Sequence, residues 1–223
     1  HADLSIIGTN EKVHETAEML SRETGNVVEG LVCDITDRNV VSRTVGRLGA
    51  IDVLINNAGA LFNDFAETQE GIERSVALLL LSPWKLTELL LPLMTGHDAT
   101  ARVINVVSGG MYTQKLKLNQ LMMEAEHYKG SVAYARAKRA LTVLTELWSE
   151  QWREDNIVVN SMHPGWADTP GVQSALPGFR RLTQRVLRSA EEGADTIVWL
   201  ARASEAGLVS GKLFLDREPR TTH

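Results

Sequence analysis

Three short apolar runs, each followed at once by polar residues or glycine, constrain the fold of this chain most. They are IDVLINNAGA, ARVINVVSGGM and IVVNSMHPGWADTP, at residues 51–60, 101–111 and 157–170. Short runs rich in β-branched residues are typical of buried parallel strands. In open parallel sheets, ligands bind beyond the carboxyl ends of the strands. The residues that end these runs are therefore candidates for one binding site.

The remaining pattern predicts an α/β fold. Strands are expected near 3–8, 27–32, 51–56, 102–107, 157–162 and 212–215, and helices near 11–23, 37–47, 67–94, 131–154 and 190–202. This alternation predicts a doubly wound, Rossmann-like parallel sheet with helices on both faces, a three-layer α/β/α architecture. We expect residues 1–223 to form a single domain, because a chain of 223 residues can bury one sizeable core.

Composition narrows the classes of function. The net charge is -5 and no basic patch stands out, which argues against nucleic-acid binding. The lone Cys33 is interpreted as a small core residue, and its lack of a disulfide partner suits a reducing compartment such as the cytoplasm. We expect no apolar run long enough to span a bilayer.

Tyr134 and Lys138, in SVAYARAKRAL, form the most suggestive pair of side chains. Residues four apart lie on one face of a helix. A nearby ammonium lowers the pKa of a phenol, so we expect Tyr134 to exchange a proton with an alcohol or carbonyl. In isolation, such a pair more often reflects packing and a solvated charge.

Together these segments resemble the short-chain dehydrogenase/reductase family. The resemblance covers nearly the whole chain and rests on the NNAG signature, the catalytic serine, the Tyr-x-x-x-Lys pair, the PG-x-x-x-T segment and the aspartate that meets adenine. In this sequence these are Asn56–Gly59, Ser108, Tyr134 with Lys138, Pro164-Gly165 with Thr169, and Asp34.

The resemblance implies catalysis by Ser108, Tyr134 and Lys138, with no metal. Tyr134 would act as general acid or base, Lys138 would lower its pKa and bind the nicotinamide ribose, and Ser108 would hydrogen-bond the substrate oxygen. The implied cofactor-binding residues are Thr9, Asn10, Asp34, Ile35, Asn56, Ala58, Gly59, Tyr134, Lys138, Pro164, Gly165 and Thr169.

The cofactor is expected to be NADP or NAD. None of the three residues at the end of the predicted first strand, Gly8, Thr9 and Asn10, is acidic, and this favours NADP. The long segment between Ser108 and Tyr134 resembles the retinol-dehydrogenase-like branch of the family. The expected reaction is hydride transfer between the nicotinamide and a carbonyl or a primary or secondary alcohol, lipid-like substrates included.

Two departures from the family pattern bear on activity. The family begins with a strand and the turn T-G-x-x-x-G-x-G, which no segment here fits. We therefore interpret the chain as N-terminally incomplete by about thirty residues, the usual size of a βα unit.

The family's catalytic asparagine aligns with Leu79. Pro83 lacks the N–H that would bond the Leu79 carbonyl, so we expect this carbonyl to hold a water in the proton relay; the alternative is that Ser82 caps a new helix that Pro83 begins.

Several alternatives stay open. The chain could be a catalytically silent nucleotide-binding protein that acts through a partner. Family members often dimerise through a four-helix bundle, so a homodimer is expected, with a monomer as the alternative. Residues 164–189 form either a mobile lid or a plain surface loop. Four arginines would make that segment basic and suited to an acidic substrate group, or would form a solvated face: Arg180, Arg181, Arg185 and Arg188.

Overall fold

The computed structural model describes residues 3–96, 99–166 and 187–223. The chain divides into two compact units, His1–Gly49 and Ala50–His223. The prediction that they form a single domain stays a prediction.

The first unit contains two parallel strands and two helices. They are β1 (Leu4–Gly8), α1 (Lys12–Thr24), β2 (Val28–Val32) and α2 (Arg38–Val45). Gly25 ends α1 in the left-handed conformation, with φ of 70°. Asp37 caps α2, because its side chain accepts hydrogen bonds from two amides of the first helical turn. Strands β1 and β2 pair in parallel from Leu4 with Val28 to Gly8 with Val32.

The second unit contains a five-stranded sheet in the order β3-β4-β5-β6-β7. The first four strands run parallel, and β7 returns antiparallel to β6. The elements in chain order are β3 (Val53–Asn56), α3 (Arg74–Val76), a π-helical turn (Ala77–Leu81), α4 (Ser82–Met94), β4 (Ala101–Val106), α5 (Gly130–Gln151), β5 (Ile157–Met162), α6 (Ala190–Arg202), β6 (Leu213–Leu215) and β7 (Glu218–Arg220).

Two apolar clusters bury the sheet of the second unit. One joins α3, the π-helical turn and α5 through residues that include Leu79, Met111 and Leu141. The other joins β4, β5 and β6 to α6 through residues that include Ile104 and Leu200. Helices therefore cover both faces of a mostly parallel sheet, as the sequence predicts. Cys33 is buried, which confirms its interpretation as a core residue.

Two sequence predictions are wrong, and one strand was missed. The helix expected over 67–94 begins only at Arg74, because Glu73 turns the chain and caps the first turn with its buried carboxylate. The hairpin strand β7 was not foreseen. Finally, one segment is long and apolar enough to cross a membrane by length and composition alone, Arg74–Met94 with a mean hydropathy of 1.5. Several of its apolar side chains, among them Leu79 and Leu90, are buried in the core.

Candidate active site

The carboxyl edge of the five-stranded sheet gathers most of the predicted site residues. Asn56 ends β3, and Ser108 lies two residues beyond the end of β4. Pro164 and Gly165 follow β5 at the same distance. Since β4 lies between β3 and β5, these three segments meet at one edge of the sheet. Helix α5 packs against β4, β5 and the turn after Ser108, and it carries Tyr134 and Lys138.

Ser108 and Tyr134 form the reactive pair of this edge. The Ser108 Oγ accepts a hydrogen bond from the Gly110 amide at 3.2 Å, which fixes its rotamer at the start of the turn Gly109–Thr113. The Ser108 hydroxyl lies near enough to the Tyr134 phenol to act on its pKa. Burial raises the pKa of Tyr134 above its ordinary value, and the nearby Ser108 hydroxyl opposes this increase. The prediction that Lys138 lowers this pKa is therefore wrong for the protein without a cofactor, where desolvation dominates.

Lys138 is held at the end of β4 and near the turn after β3. Its Nζ donates to the Val106 carbonyl at 2.6 Å. A Cβ atom on Gly59 would lie 3.5 Å from this Nζ, so the absence of a side chain at Gly59 lets the Asn56–Gly59 turn approach the ammonium. The lysine is fully buried, and desolvation lowers its pKa to about 8. An ammonium has three donors, and its bond to Val106 uses one of them.

Asn56 is part of the core and not of the open site. Its Nδ2 donates to Asn105 Oδ1 at 2.8 Å and to Thr87 Oγ1 at 3.0 Å. Asn105 in turn donates to Thr145 Oγ1 at 2.9 Å, and all four residues are buried. The side-chain amide of Asn56 is thus occupied, so the predicted cofactor contact of this residue would have to come from its main chain. Ala58 and Gly59, which follow it, are exposed.

Leu79, the residue aligned with the family's asparagine, lies within the π-helical turn Ala77–Leu81. Its side chain is fully buried and approaches Gly59, where an added Cβ would lie 3.2 Å from its Cδ2. Ser82 closes the turn by donating its hydroxyl to the Ala77 carbonyl at 2.8 Å, and Pro83 stands at the start of α4. Pro83 therefore lies at the start of a new α-helical segment, as the alternative interpretation predicts, but Ser82 does not cap that segment. That the Leu79 carbonyl holds a water stays a prediction. A single π-helical turn within a helix is often found at functional sites.

Arg188 is not a free basic group facing substrate. It forms a two-pronged ion pair with Asp216, with one Nη2–Oδ2 distance of 2.8 Å. Arg188 therefore has a carboxylate partner, and the idea that it contributes to a basic lid stays a prediction. The other residues of that proposal, Arg180, Arg181 and Arg185, lie outside the described residues, as does Thr169.

His163 is a site residue that the sequence reasoning missed. Its Nδ1 accepts a hydrogen bond from the Gly165 amide at 3.3 Å. The ring lies over Gly109, where an added Cβ would be 3.6 Å from Nδ1, and it meets Tyr112 edge to face. His163 therefore links the turn after Ser108 to the turn after β5. In the sequence, the position of His163 directly before Pro164-Gly165 is the signal that could have identified it as a site residue.

The first unit carries the other predicted cofactor residues. Thr9 and Asn10 follow β1, and Asp34 and Ile35 follow β2, so all four lie at the carboxyl edge of the two-stranded sheet. The Asn10 Oδ1 accepts from the Lys12 amide at 3.1 Å. The Asp34 carboxylate accepts from the amide and hydroxyl of Thr36 at 2.9 and 2.7 Å, and its side chain stays exposed.

With this geometry established, comparison with known proteins decides the family. A model of the family described as short chain dehydrogenase matches residues 2–178. The chain belongs to the short-chain dehydrogenase family. Within the family, it is 42% identical to human dehydrogenase/reductase SDR family member 12 over 208 residues, which cover 91% of this chain and 64% of that protein. It is 32% identical to mouse polyprenol dehydrogenase over 74% of this chain and 52% of that protein.

Solved structures of the short-chain dehydrogenase family share the fold. One is BdcA in complex with NADPH, with a TM-score of 0.68 at 23% identity, covering 94% of this chain and 80% of that chain. The chain spans 64% and 54% of the length of its human and bovine relatives.

Proposed function

We propose that this protein is an NAD(P)-dependent oxidoreductase that interconverts an alcohol and a carbonyl compound. The observation that carries the proposal is the juxtaposition of Ser108 and Tyr134 at the carboxyl end of β4, with the buried Lys138 one helical turn beyond Tyr134. This arrangement supplies a proton donor, a second donor for the substrate oxygen and a cation, which hydride transfer to a carbonyl requires.

The chain's own residues have defined tasks in this proposal. In reduction, the Tyr134 hydroxyl gives its proton to the substrate oxygen as that oxygen gains negative charge, and Ser108 donates a hydrogen bond to the same atom. The ammonium of Lys138 stabilises the phenolate that remains. The nicotinamide, when bound, supplies the hydride. In the protein alone, burial raises the pKa of Tyr134, so catalysis would require the Lys138 ammonium to lower it.

The substrate class is proposed from relatives. Retinol dehydrogenases and polyprenol dehydrogenase, to which this chain is similar, are named for long-chain apolar alcohols. We propose an apolar aldehyde, ketone or alcohol for this chain, and NADP as the preferred cofactor because Thr9 and Asn10 place no carboxylate after β1.

The decisive variant is Tyr134→Phe. We expect a loss of turnover of about a thousandfold or more with a panel of apolar aldehydes, ketones and alcohols, because the substitution removes the hydroxyl that acts as general acid. Binding of NADPH and NADH, followed by the fluorescence of the reduced ring, should change little. Tyr128→Phe is the matched control, since the Tyr128 hydroxyl bonds Ser75 and the Phe62 carbonyl, so that its loss should reduce only stability. Retained turnover in Tyr134→Phe would reject the assignment.

A catalytically silent, partner-binding protein is the second candidate. It is favoured by Leu79, whose buried side chain cannot replace the family's asparagine. Cofactor binding does not separate the two candidates, because both would bind a dinucleotide. Wild-type protein that binds NADPH but turns over no member of the panel would support the silent form.

A further inference from the structure

The turn between β6 and β7 adopts a conformation that its own sequence does not favour. Its two central residues, Asp216 and Arg217, both have positive φ, 55° and 61°. Two-residue hairpin turns of this kind usually contain Asn-Gly or Asp-Gly, and residues other than glycine are strained there. Contacts from outside the turn must therefore hold this conformation.

Two ion pairs supply those contacts. The Asp216 carboxylate pairs with the Arg188 guanidinium through two hydrogen bonds. The Arg217 guanidinium pairs in the same way with Asp195 on α6, with one Nε–Oδ2 distance of 2.8 Å, and its amide donates to the Thr196 hydroxyl at 3.2 Å. The left-handed backbone thus directs one charged side chain toward Arg188 and the next toward α6.

Arg188 makes further contacts that Arg217 lacks, all with the turn after β5. Its Nη1 donates to the Pro164 carbonyl at 3.4 Å, and its amide donates to the Trp166 carbonyl at 2.8 Å. Its side chain lies against Gly165, where an added Cβ would be 2.9 Å from Nε. Gly165 itself has φ of 72°, so both its backbone and its neighbour exclude a side chain.

We propose that Arg188, oriented by Asp216, is a positioning residue that fixes the Pro164–Gly165 turn and, through it, the nicotinamide end of the cofactor. The proposal rests on the proposed function and on the family resemblance, which implies that the PG-x-x-x-T segment, here Pro164-Gly165, lies over the nicotinamide. A planar guanidinium suits the task because it bonds a carboxylate with two of its donors and keeps others for a carbonyl. The strained hairpin turn provides the carboxylate in the required orientation.

The hairpin offers a matched control for this proposal. The Arg217–Asp195 pair stabilises the same turn, is similarly exposed, and has no hydrogen bond to Pro164 or Gly165 among the described residues. Variants of the two pairs therefore separate a role in the cofactor site from a role in hairpin stability.

The test compares Arg188→Met and Asp216→Asn with Arg217→Met and Asp195→Asn in the full chain. Two ligands are titrated, NADPH and 2′-phospho-ADP-ribose, which lacks the nicotinamide. We expect Arg188→Met and Asp216→Asn to weaken NADPH binding by about ten-fold, equivalent to about 1.4 kcal/mol, and to leave the fragment's affinity unchanged. Arg188→Lys should be intermediate, because a lysine can pair with Asp216 without the planar fork. Arg217→Met and Asp195→Asn should change neither affinity.

A second readout keeps this proposal separate from the proposed function. Hydrogen exchange of the Gly165 amide should accelerate in Arg188→Met and not in Arg217→Met, whether or not a dinucleotide binds. Unchanged exchange in Arg188→Met would overturn the positioning role, as would an equal loss of NADPH affinity in Arg217→Met. Wild-type protein that binds neither ligand would instead reject the proposed function, and accelerated exchange would then limit the role of Arg188 to fixing the turn.

Discussion

At the scale of single residues, Lys138 shows the cost of building this site. The lysine is fully buried, and its pKa falls to about 8 from 10.5 because the charged form is poorly solvated. One pKa unit corresponds to about 1.4 kcal/mol, so the charged lysine destabilises the folded protein by about 3 kcal/mol at neutral pH. Functional groups held at such a cost are typical of active sites, where activity is gained at the expense of stability.

Lys138→Met should therefore stabilise the protein while it abolishes turnover. We expect the free energy of unfolding at pH 7 to rise by about 2 kcal/mol, since the lost bond to the Val106 carbonyl offsets about 1 kcal/mol of the gain. Between about pH 8 and pH 10.5 the unfolded wild-type chain binds more protons than the folded one, so wild-type stability rises with pH and the difference shrinks. Denaturant unfolding across this range tests the prediction. Lys129→Met, at an exposed position, should show no such convergence.

At the scale of elements, the helical segment from Arg74 to Met94 contributes buried side chains to the core and also has a break in its backbone hydrogen bonding. The π-helical turn Ala77–Leu81 and the imide nitrogen of Pro83 both interrupt the regular pattern beside Gly59 and Lys138. Pro83 has no N–H for the Leu79 carbonyl four residues before it. We propose that this carbonyl holds the relay water that the family's asparagine site holds.

Pro83→Ala tests the relay. The new amide can bond the Leu79 carbonyl and displace the water, so we expect the turnover number to fall by about ten-fold, with stability changed by less than about 1 kcal/mol. Turnover and thermal unfolding of the variant are compared with those of Pro92→Ala, which alters an exposed proline of the same helix. An equal effect of both substitutions, or no loss in Pro83→Ala, would contradict the relay.

At the scale of the whole molecule, two outward side chains favour self-association. Trp84 on α4 is 42% exposed and Leu147 on α5 is 60% exposed. Large apolar side chains at such positions are common where helices pack between subunits. We propose a homodimer formed through these two helices.

Light scattering of the wild type should give twice the mass of one chain. The double variant Trp84→Glu with Leu147→Glu should give a single-chain mass, because a dimer through these helices would bury four carboxylates. Leu208→Glu is the control, since Leu208 is 86% exposed outside both helices. A wild-type protein of single-chain mass would reject the dimer.

Much of this architecture could be predicted from the sequence because its signals are local. Apolar runs such as IDVLINNAGA, with the glycines at their ends, identify the strands and the sheet edge without reference to distant residues. Ser108, Tyr134 and Lys138 can be identified from their spacing in the sequence. What was missed depends on partners far along the chain. The antiparallel β7 requires a turn at Asp216 and Arg217 that lacks the usual glycine. The pKa of Tyr134 depends on burial, and the role of Asn56 depends on Thr87 and Asn105.

The turn at Asp216 and Arg217 also bears on the order in which the chain folds. The local sequence disfavours this hairpin turn, and the side chains that stabilise it, Asp195 and Arg188, lie more than twenty residues away in sequence. The hairpin is therefore not stabilised if it closes before these partners are in place. Contacts of that separation form after the local ones. We therefore expect β6 and β7 to dock late, onto a sheet in which β4 and β5 are already paired. Substitutions in this hairpin should then accelerate unfolding and leave the folding rate almost unchanged.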